Sequence, residues 1–314
     1  MKRMRGYGIL ITAVSLFLLM SPVVLLDKPV PPTADVVTDE PLASVKVKQT
    51  DSDEIHSVDL RELTLFETAA SIGADAPIEA IKAHVVAAYT CFRYQCESNR
   101  GQSADILSTA LSYPQCYTET YWKEQWGESY KETLAVYQRA LEAVYGKCLL
   151  YEGKPIMALT HHLNTGQTED GEALFEKDIP YLQSVASPAD ALATDLLTTV
   201  TVPLTQSEEI LKTLLGEAED DKPLSDIQIA DRTQAGTVKT VKIGDKTCTG
   251  YELQSAFSLP SPAFEVDVQQ EMCIFTVRGN GHFVGLSSCG ATAMARDGHT
   301  YEEILKHYFT GATI

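Results

Sequence analysis

The sequence predicts an α+β fold, on three observations. Helical and strand-like periods are mixed without βαβ regularity. No internal repeat is present, and the apolar period changes from helical to alternating near Cys148. With 314 residues, 44% hydrophobic and 22% charged, the chain is long enough for one large domain with a sizeable core.

The elements follow in order. Lys2, Arg3 and Arg5 precede an uncharged, largely aliphatic run from Tyr7 to Leu26, long enough to cross a bilayer as a helix. The basic flank holds residues 1–6 in the cytoplasm and places the remainder outside, as a single-pass protein of the cell membrane. A cleaved signal peptide competes with this anchor, but the run is long for one and "SPVVLLDKPV" offers no good A-x-A-like site. A buried globular helix is the third reading, and the run has no polar face to support it. Residues 27–55 are rich in Pro, Asp and Thr without lasting periodicity, and read as a stalk. The folded domain is expected over 56–314.

A helix is expected after Pro77, capped by Asp75, with Pro77 in the first turn and Glu79 complementing the dipole. Ile81, Val85, Ala88 and Phe92 share one stripe, while Ala83, Val86, Ala87 and Thr90 keep the other faces slim. So narrow a helix belongs in the centre of a fold. A second helix spans about Glu128 to Tyr145, with Leu134, Tyr137, Leu141 and Val144 in phase and Gly146 closing it. "CLLYEGKPIMALTHH" predicts a hairpin turning at Glu152-Gly153. A helix at about Ser207 to Leu215 precedes strands in "TVKTVKIGDKTCTGYEL", "AFEVDV" and "CIFTV". The chain ends in a glycine-rich loop, a short helix stopped by Gly298, and a last helix whose capping box is Thr300 with Glu303.

Charge and cysteine usage narrow the function classes. Setting aside Lys2, Arg3 and Arg5 leaves 22 basic residues against 43 acidic ones, a formal charge of −21. That surface argues against nucleic acid or anionic lipid as the main partner and leaves sugars, cationic groups and proteins open. Cysteines stand at 91, 96, 116, 148, 248, 273 and 289, with no C-x-x-C pair. They read as buried small hydrophobes, with a reducing habitat or a few unassigned disulfides as alternatives.

Three segments are candidates for chemistry: the Ala-rich helix with its lead-in "ETAASIGADAP", "THHLNTGQTED", and "GNGHFVGLSS". Each of the last two sets histidine beside glycine or small polar residues, where loops position side chains and expose backbone donors. Each segment also reads as a plain turn.

Together, and in this order, they resemble the stage II sporulation protein D family. The closing segment resembles the family's G-H-G-V-G-M-S-Q-x-G-A through Gly281, His282, Val284, Gly285, Ser287, Gly290 and Ala291, followed by Ile304-Leu305-Lys306-His307-Tyr308. The helix resembles E-A-L-K-A-Q-A-V-A-A-R-T-Y through Glu79, Ala80, Lys82, Ala83, Val86, Ala87, Ala88 and Thr90. The middle segment keeps His161, Gly166, Thr168 and Glu169 of H-S-x-S-G-G-x-T-E.

The resemblance implies a lytic transglycosylase acting on denuded peptidoglycan glycan strands during engulfment, alongside a wall amidase and a membrane partner. A single carboxylic acid serves that reaction: it protonates the glycosidic oxygen, then takes the proton of the muramic 6-hydroxyl as that oxygen closes on the anomeric carbon. The implied glycan contacts are Lys82, His161, Thr168, Glu169, His282, Gly285 and Ser287. In the family the acid lies eight residues before the helix glutamate, which puts Ser71 at that position here, and a serine hydroxyl is no acid at neutral pH. Glu67, one helical turn earlier, is the nearest substitute; a solvated helix charge is its other reading. The family's helix arginine is Tyr89 and its glutamine His84; Thr165 and Ser288 replace a glycine and a glutamine. Some clostridial relatives hold zinc through Cys and His between the two helices. Only Cys116 falls there, with no histidine nearby, so no metal or other cofactor is expected.

Overall fold

The computed structural model describes residues 43–49, 54–108, 118–216, 227–269 and 271–314. The expected anchor at Tyr7–Leu26 and Cys116 lie outside these. No helix among the described residues is long and apolar enough to cross a membrane. The architecture is α+β, with small, mostly antiparallel sheets set among helices.

The first strand, β1 (Ser44–Gln49), falls inside the stretch read as a stalk. Its Val45 and Val47 are buried while Ser44 and Lys46 face solvent, the alternation of a half-buried strand. It pairs antiparallel with β2 (Ile55–Asp59) and parallel with β3 (Ile106–Ser108), which comes later in the chain. Asp59 caps α1 (Leu60–Ser71) by accepting from the backbone N–H of Arg61 and Glu62. The lead-in to the Ala-rich segment is therefore helical, and Glu67 and Ser71 share a face.

The Ala-rich helix is α2 (Ile78–Ser98), and its position is central as expected. Ala80, Ile81, Ala83, Val85, Val86, Ala87 and Thr90 are all buried, and α2 packs against four other helices. The expected cap differs. Pro77 occupies the N-cap in extended backbone with no side-chain bond, rather than Asp75 capping a helix with Pro77 inside it. Glu79 is drawn away from the helix start: its carboxylate accepts from Tyr301 N at 2.9 Å and pairs with Lys82 at 2.6 Å.

Thr118 caps α3 (Glu119–Trp126), and a 3₁₀ turn through Gly127, φ 52°, leads into α4 (Tyr130–Val144). The second helix thus starts two residues after the expected Glu128, because the turn takes those residues. Tyr137, Leu141 and Val144 are buried in the expected phase, and Gly146 follows with φ 88°. The hairpin forms as expected: β4 (Leu150–Tyr151) and β5 (Lys154–Pro155) are joined by Glu152 and Gly153, both at positive φ. Next come β6 (Thr160–His161) and the short helix α5 (Gly171–Phe175).

Residues 197–278 build a second core. Here β7 (Leu197–Pro203) runs into α6 (Leu204–Leu215), followed by β8 (Ile227–Arg232), β9 (Val238–Ile243) and β10 (Lys246–Cys248). The expected strand character of "TGYEL" is overturned: Thr249 and Glu252 form a capping box that starts α7 (Gly250–Phe257). Strands β11 (Phe264–Gln269) and β12 (Met272–Arg278) complete the lobe. The sheets β10-β9-β8 and β11-β12-β7, both antiparallel, share a core of Val241, Leu253, Phe257, Phe264, Phe275 and Val277.

The chain then returns to the first core through β13 (Leu286–Ser287), α8 (Ser288–Arg296) and α9 (Tyr301–Tyr308). Gly298 at φ 92° separates the two helices, and both bonds of the Thr300–Glu303 capping box are present. Cys91, Cys96, Cys148, Cys248, Cys273 and Cys289 are free thiols, and Cys248 and Cys273 are buried among apolar neighbours.

Candidate functional site

The three segments meet where β6 pairs in parallel with β13, setting Thr160 beside Leu286 and His161 beside Ser287. Gly285 makes the approach possible: at φ 76° it folds tightly over the Leu159 carbonyl, which accepts from Leu286 N at 3.0 Å. The end of α1 and the body of α2 join through one side chain, Ser288. Its Oγ lies 2.8 Å from the Ser71 carbonyl, 3.1 Å from the His161 carbonyl and 2.9 Å from His84 Nε2. The lead-in, the Ala-rich helix, the histidine strand and the glycine loop thus share one buried hydroxyl.

Ser71 is the last residue of α1 and is partly exposed. Its hydroxyl donates to Glu67 Oε1 at 3.4 Å, a long bond within one helix face. Glu67 is itself buried, at 7% exposure, and sits close enough to Cys91 to help push that thiol up to about 12, burial being the larger cause.

Both candidate histidines lie inside the protein rather than on an open surface. His161 is fixed as one tautomer: Nδ1 donates to the Val284 carbonyl at 3.2 Å, and Nε2 accepts from Asn164 Nδ2 at 3.1 Å. His282, with no exposed area, accepts from Val284 N through Nδ1 at 3.1 Å, which leaves its proton on Nε2. That Nε2 is buried without a hydrogen-bond partner among the described residues. Burial lowers His282 to about 4 and His161 well below its ordinary value, with the neighbouring His282 ring adding to the shift at His161. Neutral imidazoles suit hydrogen bonding, not proton donation at neutral pH.

The remaining predicted residues divide. Ser287 caps α8 and donates to Asp190 Oδ1 at 2.5 Å. Thr168 is buried against Val185, accepting from its N–H at 2.8 Å. Glu169 stands where the two cores meet: its Oε2 accepts from Thr233 Oγ1 at 2.6 Å and its N–H donates to the Phe283 carbonyl at 2.8 Å. It also borders a groove of about 680 Å³ with Arg232, Lys239 and Tyr251. Lys82 lies apart, over the Tyr301 ring at 5.9 Å.

Sequence reasoning missed Asp190. Fully buried, it accepts from Asn164 N at 2.8 Å, Ser187 Oγ at 2.6 Å and Ser287 Oγ, and Tyr308 Oη closes the network on Ser187 at 2.7 Å. Burial raises its pKa, opposed by those hydrogen bonds. "SPADALATD" carries no periodic or motif signal that would have revealed this role. Among the described residues, no group of three or more His, Cys, Asp or Glu side chains is placed to hold a metal.

The fold and site define a class: an α+β domain in which a slim central helix is clasped by a histidine strand and a glycine-rich loop. No family model matches the sequence. Individual relatives do. The chain is 30% identical over 290 residues to "Stage II sporulation protein D" of Bacillus subtilis (strain 168), covering 91% of this chain and 83% of that one. It is 29% identical over 284 residues to the protein of the same name in Bacillus amyloliquefaciens, covering 90% and 81%. A shorter likeness, 27% over 225 residues, joins 56% of this chain to 32% of the "Amidase enhancer" of Bacillus subtilis (strain 168). The chain belongs to the stage II sporulation protein D family.

Proposed function

We propose that this protein binds denuded glycan strands of peptidoglycan during sporulation and does not cleave them efficiently. One observation carries the reading. At the position of the family's acid stands Ser71, whose hydroxyl is turned back onto Glu67. Neither buried histidine can replace the acid, since both are neutral at physiological pH. In this reading Tyr7–Leu26 holds the domain at the outer face of the cell membrane. Lys82, His161, Thr168, Glu169, His282, Gly285 and Ser287 shape or contact the glycan site, the buried ones by fixing its walls. A wall amidase and a membrane protein of the engulfment machinery are its partners; the likeness to an amidase enhancer supports the first of these.

A second reading is favoured by the same distance. Glu67 Oε1 lies 3.4 Å from Ser71 Oγ, one side chain behind the family's position, so a glycan reaching past Ser71 would meet a carboxyl group there. Denuded glycan strands incubated with the full-length chain and analysed by mass spectrometry separate the two. Retention of strands without 1,6-anhydro ends is expected, and abundant anhydro ends would establish an active enzyme.

A further inference from the structure

A cavity of about 610 Å³ opens between α2, the loop after α4, and α9, away from the Ser288 junction. Its floor holds Arg93, only 8% exposed. One N–H of that guanidinium donates to Tyr89 Oη at 3.0 Å, and its carbon stands 5.8 Å from the same ring's centre. No carboxylate among the described residues forms a salt bridge with it, although Glu97, one turn further along α2, acts on it at longer range. A buried guanidinium without a salt-bridged anion is costly. Arg93 lines the cavity.

The surroundings share its sign. Lys147 and Lys306 line the same cavity, in a protein whose formal charge is −18. Glu302 is there too, but Lys147 holds it at 3.9 Å. Cys148 adds no negative charge, because burial pushes its thiol up to about 11. Three cations therefore line the cavity with one carboxylate, and that carboxylate is held by Lys147 rather than by Arg93.

We propose that this cavity takes the free lactyl carboxylate of a muramic acid residue, with Arg93 as its planar, two-pronged partner and Lys147 and Lys306 at the rim. The inference rests on the glycan-binding reading above. Planar recognition of carboxylate is what a guanidinium does best, and the volume suits a sugar unit with its acidic side group. Removing the stem peptide converts an amide into a free carboxylate, so this contact distinguishes denuded strands from substituted ones. The cavity is linked to the candidate site through α2. Tyr301, part of its wall, donates its backbone N–H to Glu79 at 2.9 Å, at the start of the helix that follows Ser71.

The test uses the full-length chain with labelled arginine side chains, titrated with N-acetylmuramic acid, its methyl ester, and inorganic phosphate. Saturable shifts of the Arg93 guanidinium with the acid, at least tenfold weaker with the ester and weakened by salt, are expected. Lys306→Gln, at an exposed position, should weaken binding of the acid several-fold, and Arg93→Gln should abolish it. Lys306→Gln keeps the test decisive if Arg93→Gln does not fold. Equal binding of acid and ester, or no shift with either, overturns the proposal. Phosphate binding as tightly as the acid reduces the cavity to a general anion site and overturns the sugar assignment. Capture of denuded strands is measured in parallel. Strands held equally by wild type and Lys306→Gln would sink the cavity's role and leave glycan binding intact. Saturable N-acetylmuramic acid binding without strand capture would sink the glycan-binding reading instead.

Discussion

His84 Nε2 lies 2.9 Å from Ser288 Oγ, and the other ring nitrogen lies 2.9 Å from the Ala80 carbonyl. Carbonyl oxygens only accept, so Nδ1 needs a proton to face Ala80. Ser288 has one proton for three neighbours, and the Ser71 and His161 carbonyls both compete for it. A doubly protonated ring would take His84 out of that competition and leave the hydroxyl proton to the two carbonyls, but burial opposes it by lowering the imidazole to about 4. At neutral pH one hydroxyl proton is shared among three acceptors.

A glutamine amide, which stands at this helix position in the family, carries two protons on one nitrogen. His84→Gln should therefore hold stability within about 1 kcal/mol of wild type, whereas Ser288→Ala, which strands three buried groups, should lose about 1–3 kcal/mol. Urea unfolding at pH 7 reads both. A Ser288→Ala midpoint equal to wild type would show that the junction contributes nothing.

Acid should unfold this protein early. His84 and His282 are lowered to about 4, and His161 lies well below its ordinary value, all chiefly by burial. Their unfolded counterparts titrate near 6.5, so the unfolded state binds more protons between about pH 4 and 6.5. Stability is fully present above that window and is lost as pH falls through it, by up to about 1.4 kcal/mol per pH unit for each histidine. Asp190 works the other way: burial raises it, so protonation favours the fold and softens the loss at the acid end. Urea midpoints that stay constant from pH 7 to pH 5 would contradict this.

Much of this arrangement was legible from local signals. The Thr300–Glu303 box, the Glu152-Gly153 turn and the slim faces of α2 each follow from residue chemistry within a few positions, and the structure shows all three. What could not be read was long-range. Val45 and Val47 are buried because β3, some sixty positions later, pairs beside them, so a strand stood where composition suggested a stalk. The strand read into "TGYEL" failed because the Thr249–Glu252 box outweighed the β propensity around it. At the site, the residue types were visible but their depth was not. Histidine beside glycine resembles an exposed loop until Gly281 and Gly285 let the backbone pass directly against His161 and Leu159.

Gly285→Ala tests that close approach. The position has φ 76°, which costs a non-glycine residue about 1–3 kcal/mol, and the added methyl would strike the Leu159 carbonyl. That carbonyl accepts from Leu286 N, so relief of the clash breaks the junction between β6 and β13. A loss of about 3 kcal/mol or more is expected in thermal or urea unfolding, with glycan capture lost as well. A variant as stable as wild type would mean that the loop folds differently.

The decisive substitution is Ser71→Glu. Wild type is expected to retain denuded strands and release scarcely any anhydro ends, and the variant is expected to release them. The acid would sit at the C-terminal end of α1, one turn from Glu67 on the same face. Two carboxyls so close cannot both ionise freely, so one holds its proton at higher pH, which is what a general acid needs. Such assistance typically contributes about 10²–10⁴-fold, and a gain of this order in anhydro ends is the expected signal. Adding Glu67→Gln to the variant should shift the alkaline limb of its pH profile to lower pH, since the neighbouring charge that raised the acid's pKa is gone. The gain is expected to stop short of a full site, because Tyr89, Thr165 and Ser288 also differ from the family's residues, and Ser288 braces the same junction. Robust release by wild type that disappears with Glu67→Gln would make Glu67 the displaced acid. Release that survives Glu67→Gln would move the search to Glu169, the buried carboxylate between the two cores.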